Sequence, residues 1–182
     1  MRNWKLAVAA ASANCVVIAA SLGLLSWTAG GGGAAARNSA RFAALIFLAG
    51  FAAPGLRRWV RFPQPATFIG AYVAAQMVHF SAVALFHGVL SKEPLKIGVP
   101  QVAVVLFGFS LTCLMGVTAT SSARLGAIAH RVTLYIVFVI LAADYSSHPI
   151  KSMRMFAVPV FAALAIRQLR QRTPDFAGVA AN

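Results

Sequence analysis

The chain has 182 residues but only three acids, Glu93, Asp144 and Asp175, against sixteen Lys and Arg. That shortage excludes paired-carboxylate catalysis and proton relays built on Asp or Glu. Cysteine is as scarce. Cys15 and Cys113 are too few for a disulfide framework, and both lie deep in apolar runs, where a thiol acts as a small hydrophobe. Charged residues of either sign make up 10% of the chain and hydrophobic ones 60%. A soluble domain carries about 25% charged residues, so a water-soluble globule is excluded, and a disordered tail with it. No P-loop and no nucleophile–base–acid constellation is visible. Nor does any internal repeat stand out.

The net charge of +13 invites a nucleic-acid reading. The basic residues, however, form no single stripe. They fall in small groups between apolar runs, which is how a membrane protein marks its cytoplasmic loops. Nucleic acid is therefore not an expected partner, and the lipid bilayer is.

The apolar runs predict an all-α, polytopic membrane helix bundle of about six transmembrane helices, forming one domain over residues 1–182. The spans fall near residues 6–27, 39–59, 66–90, 99–118, 125–145 and 153–167. The first follows a short basic head and is longer than the apolar region of a signal peptide, about 7–15 residues, so it reads as a retained helix. Gly30 to Gly33, followed by three alanines, is expected to be a flexible connector. The second span should end near Pro54-Gly55 or extend to Trp59, and Pro63 and Pro65 separate it from the third. The last run contains Pro159, the only proline expected well inside a span, where proline is tolerated.

Six spans place ten basic residues on one side: Arg2, Lys5, Arg57, Arg58, Arg61, Arg124, Arg131, Arg167, Arg170 and Arg172. Six fall on the other: Arg37, Arg41, Lys92, Lys96, Lys151 and Arg154. The positive-inside bias then puts both termini in the cytoplasm, in an inner or plasma membrane. Trp4, Trp27 and Trp59 sit near span ends, where interface aromatics belong.

An ionisable residue within a span is a functional candidate by default. His79 lies near the middle of the third span, and His87 about 12 Å further along the same helix. His130 opens the fifth span and His148 lies just beyond its far end. Spans three and five run in the same direction, so His79 and His130 are expected at a similar depth in the inner half or middle. Two such histidines on two helices can hold one haem iron. His87 and His148 form the secondary pair, toward the outer surface. The plainer reading of each histidine is an interhelical hydrogen bond or, for His148, an interfacial loop position. Zinc is not expected, because no Cys or acid lies at matching depth.

Three segments carry a resemblance. Ala129-His-Arg-Val-Thr-Leu-Tyr135, leading to Asp144-Tyr145, resembles the fifth-helix pattern of the ferric reductase-like transmembrane family. Arg37-Asn-Ser-Ala-Arg41-Phe is similar to that family's Arg-x-x-x-Arg entry into a helix, and Gln76-Met-Val-His79 stands where the family carries a haem-ligating histidine. The resemblance implies a six-helix, haem b-binding cytochrome domain passing single electrons. His79 and His130 would be its axial ligands, with Arg37, Arg41 and Arg131 facing haem propionates or lipid phosphates. The chain departs from the pattern at Gln76, where some relatives have another histidine. No glycine-rich dinucleotide fingerprint follows the last span, so the redox partner is expected to be a separate protein or a quinone. On this reading the chain is at most the electron-transfer subunit of an oxidoreductase. The alternative is a small non-haem membrane protein, either a structural partner subunit or a transporter.

Overall fold

A computed structural model describes residues 4–25, 29–57, 59–61, 63–86, 99–119, 124–147 and 154–169. Among them are six helices and no strand: α1 (Trp4–Leu25), α2 (Ala29–Leu56), α3 (Pro65–Ala84), α4 (Val99–Thr118), α5 (Arg124–Ser147) and α6 (Ala157–Leu169). Four stretches are long and apolar enough to cross a membrane: Trp4–Gly23, Gly32–Leu56, Pro65–Ala84 and Arg124–Ser147. Inside hydrocarbon every backbone N–H and C=O must be bonded within the protein, and a continuous helix achieves this within one segment. The chain is an all-α helical bundle of the membrane type.

Helix boundaries depart from the sequence expectation in two places, each for a local reason. The Gly30–Gly33 run is not a connector; it forms the first turns of α2. Small residues here let the helix lie close to its neighbours. A Cβ at Gly32 would already touch the Phe86 side chain at 3.6 Å, and Ala35 one turn on is fully buried. α2 ends at Leu56, within the range expected from Pro54-Gly55 to Trp59, and there Arg57 N–H bonds the Ala53 carbonyl and Val60 N–H that of Leu56; Pro54 itself lies inside the helix. Its missing N–H frees only the Gly50 carbonyl, so the helix tolerates it near its end. Pro159 lies in the first turn of α6, which starts at Ala157, and there a proline sacrifices no intrahelical bond. Pro54 is thus the proline inside a membrane helix, not Pro159. At 13 residues α6 is about 20 Å long, short of the hydrocarbon thickness.

The same helix-start rule applies to α3, which begins with Pro65 after Gln64 in an extended conformation. Beyond Ala84 the expected end of the third span falls outside the described residues.

α2 occupies the centre. It packs on α1, α3 and α6, and α1 packs on α3. Phe47 and Phe51 of α2 are fully buried and anchor an aromatic cluster. Phe47 meets Tyr72 of α3 at 5.2 Å, while Phe51 stacks on Phe138 of α5 at 4.5 Å and meets Tyr135 edge-on at 5.6 Å. Such pairs add about 0.5–1.5 kcal/mol each beyond their buried area. Two glycines allow the close approaches. A Cβ at Gly50 would sit 2.7 Å from Phe68 Cβ, and one at Gly55 would overlap the Ile166 carbonyl oxygen of α6. α4 lies outside this unit, against α3 on one side and α5 on the other. Leu106, Phe107, Val117, Leu125, Val132 and Val139 point outward from α4 and α5, as lipid-facing side chains do.

Candidate functional site

Three groups of polar side chains within the helices bear on a site. The first lies between α1, α2 and α3. Asn14, fully buried, donates from Nδ2 to the Ala75 carbonyl at 2.8 Å, tying α1 to α3. His79 stands one turn beyond Ala75, on the same face of α3. The Phe68–Gly50 approach and the Phe47–Tyr72 pair fix the antiparallel register of α2 on α3. Stepping along it brings the fully buried Ser39 level with His79. Three buried side-chain atoms have no hydrogen-bond partner among the described residues: Asn14 Oδ1, Ser39 Oγ and His79 Nδ1. All three belong to this one three-helix unit, within about a helical turn of each other in depth.

A chain of bonds continues from there toward the start of α2. Ser21, two turns beyond Asn14 on the same face of α1, donates to the Val17 carbonyl at 2.7 Å and accepts from Asn38 Nδ2 at 3.0 Å. Arg41 Nη1 donates to Asn38 Oδ1 at 3.2 Å, and its guanidinium lies 5.3 Å from the centre of the Phe156 ring. Arg37, one turn earlier on α2, is exposed.

The second group joins α4 to α5. His130 Nδ1 lies 3.3 Å from Thr118 Oγ1, whose hydroxyl also reaches the Leu114 carbonyl at 2.7 Å. Arg131, the next residue, is exposed on the outer face.

The third group surrounds Arg167 of α6. Its Nη1 donates to the Phe51 carbonyl at 2.8 Å and its Nε to Tyr135 Oη at 3.2 Å. Its plane covers the Phe51 ring at 4.5 Å and the Tyr135 ring at 5.3 Å. Sequence alone made Arg167 a topology marker. In the fold it also joins α2, α5 and α6.

His79 and His130 are not brought together. On α3 and α4, Val73 faces Gly116 and Phe80 faces Gly108 and Phe109. His79 is therefore level with Phe109, whereas His130, beside Thr118, is level with Ala71. About eight residues of helix, roughly 12 Å, separate the two in depth. The α2 route gives a larger offset in the same direction, because Phe51 meets Phe138 and Tyr135 of α5 while lying opposite Phe68. α3 and α5 are not a packed pair, and α4 lies against both. The two imidazoles therefore do not share a level in the bundle. Arg37, Arg41 and Arg131 do not converge on a common point either: Arg41 belongs to the α1–α2 chain and Arg131 to the outer face of α5. His87 and His148 lie outside the described residues.

Sequence reading missed Asn14, Ser39 and Thr118. A signal for the first was present: Asn14 and Ser21 are seven residues apart in an otherwise apolar helix, hence on one face. No family model matches the chain, nor does any curated protein or solved structure.

Proposed function

We propose that this chain is a non-haem polytopic membrane protein of the transport class with both termini cytoplasmic. Its working site is the polar core of α1–α3, where Asn14, Ser39 and His79 coordinate a small polar solute or a file of water. One observation carries the reading: the described buried polar atoms left without partners all lie in one three-helix unit, at mid-membrane or just beyond it. A buried polar group without a partner costs about 1–3 kcal/mol, and a polar ligand meeting it removes that cost. Transport sites characteristically lie near the midplane between helices. The orientation is supported by the ten-to-six excess of Lys and Arg on the side of the termini.

Two measurements on one preparation test it. Protein purified from cells supplied with haem should be colourless, oxidised or dithionite-reduced. Proteoliposomes challenged with glycerol or urea in stopped-flow light scattering should equilibrate faster than empty vesicles, and Ser39→Leu or His79→Leu should remove the difference. Equilibration no faster than empty vesicles would overturn transport and leave a structural partner subunit.

The second reading is a b-type cytochrome of the ferric reductase-like kind. The buried His79 Nδ1 without a partner favours it. A near-stoichiometric low-spin haem spectrum would establish it and displace the first reading.

A further inference from the structure

Arg131 stands seven residues, about 10 Å, inside α5, on its outer face. No described residue bonds it. The one carboxylate on the same helix, Asp144, lies thirteen residues further on, about 20 Å away. A guanidinium keeps its charge in a protein, so one facing lipid must find water or an anion. Beside it runs a groove of about 540 Å³ between α4 and α5. Its walls are apolar or aromatic throughout, chiefly Phe107, Val132, Ile136, Val139 and Ile140; Arg131 contributes only its aliphatic stem, and its guanidinium is not part of the wall. From Arg131 to Ile140 the groove follows α5 for about 14 Å. Arg124, seven residues before Arg131 and on the same face, is exposed and adds a second cation beyond the Arg131 end of the groove.

We infer that this groove holds one anionic phospholipid, its phosphate on Arg131 and an acyl chain along α5. The Arg131 charge beside the groove and the apolar wall along α5 match the phosphate and acyl chain of a phospholipid, and an uncompensated cation favours a headgroup of net negative charge. Guanidinium and phosphate form paired charge-assisted hydrogen bonds, which fixes the headgroup at the foot of the groove. A long side chain near a helix end reaches back toward the interface, so Arg131 meets the phosphate at headgroup depth. The inference needs only that α5 crosses the bilayer; it is independent of the α1–α3 site.

Native mass spectrometry of the full chain in mixed phosphatidylglycerol and phosphatidylcholine tests it. The wild-type protein should retain one phosphatidylglycerol through partial delipidation, with at least about fivefold preference over phosphatidylcholine, the factor for one Arg near a membrane surface. Arg131→Gln should lose that preference. Ile136→Trp, which fills the groove, should lose the lipid with Arg131 intact. Arg57→Gln, elsewhere on the surface, should change nothing, and melting curves should show all three variants folded. Equal retention of the two lipids, or an unchanged preference in Arg131→Gln, would reduce the groove to ordinary bilayer contact and overturn the inference. A dimer abolished by Ile136→Trp would overturn it too, making the occupant a second copy of the chain.

Discussion

The α1–α3 unit and the α4–α5 pair are built from equally apolar sequence but held together differently. In α1–α3 small residues face inward: Ala35, Ser39 and Ala43 lie one turn apart on α2, all fully buried, and Gly50 admits Phe68. Close backbones favour dispersion contacts, the main attraction between helices already surrounded by hydrocarbon. Polar side chains then tie the helices at defined points, Asn14 on Ala75 and Ser21 on Asn38. Between α4 and α5 the described polar tie is the His130–Thr118 contact, and their large side chains point outward. The comparison teaches that apolar content sets membrane residence, while small and polar residues decide which helices pack tightly. Polar groups left over in the tight unit are the ones available to a ligand.

Substitutions at five sites, with Gly70→Ala and Arg167→Lys for comparison, would break or sharpen this contrast. The largest effect is expected at Gly55, where Gly55→Ala drives a methyl into the Ile166 carbonyl and forces α6 off α2. A cost of about 3 kcal/mol follows for such overpacking, read as SDS or steric-trap unfolding, whereas Gly70→Ala on α3 meets nothing within 4 Å and should be neutral or better. Equal costs at the two glycines would contradict the assigned approach. Next is Arg167→Ala, which removes two hydrogen bonds and two ring contacts. It should cost about 2 kcal/mol, and Arg167→Lys should restore less than half, since an ammonium cannot fork between the Phe51 carbonyl and Tyr135.

Asn14→Leu should cost about 1 kcal/mol, in the range of interhelical hydrogen bonds measured in membranes. Ser39→Ala should be neutral or slightly stabilising without ligand, because it deletes a buried hydroxyl that has no partner. His130→Ala is expected to cost about 0.6 kcal/mol, the smallest loss among the ties between helices, since it acts at a half-buried site. If His130→Ala proved costlier than Asn14→Leu, the ranking of the two regions would be reversed.

Much of the helix pattern was legible because apolar runs of span length leave the backbone no other choice in lipid. The Gly30–Gly33 run was misread for a physical reason: glycine destabilises a helix in water, but in a bundle it allows a neighbour such as Phe86 to approach. Pro54 and Pro159 exchanged roles because a proline's cost depends on its distance from a helix end, and sequence fixes that end only to within a few residues. Depth on a single helix is readable by counting, yet depth between helices depends on register and tilt. This is why His79 and His130 looked level from sequence, whereas the Val73–Gly116 approach, which no local pattern announces, sets them apart. Arg167 was legible as a charge but not as a clamp, since its partners Phe51 and Tyr135 come from two distant helices.

The most direct test of the account asks whether the two histidines share a level. In a background with Cys15 and Cys113 replaced by Ala, His79→Cys with His130→Cys and Val73→Cys with Gly116→Cys would be oxidised in membranes and scored for cross-linking. The account predicts rapid bonding of the Val73–Gly116 pair and none of the histidine pair. Efficient cross-linking between positions 79 and 130 would contradict it, because it would put the two side chains at one level and within disulfide reach.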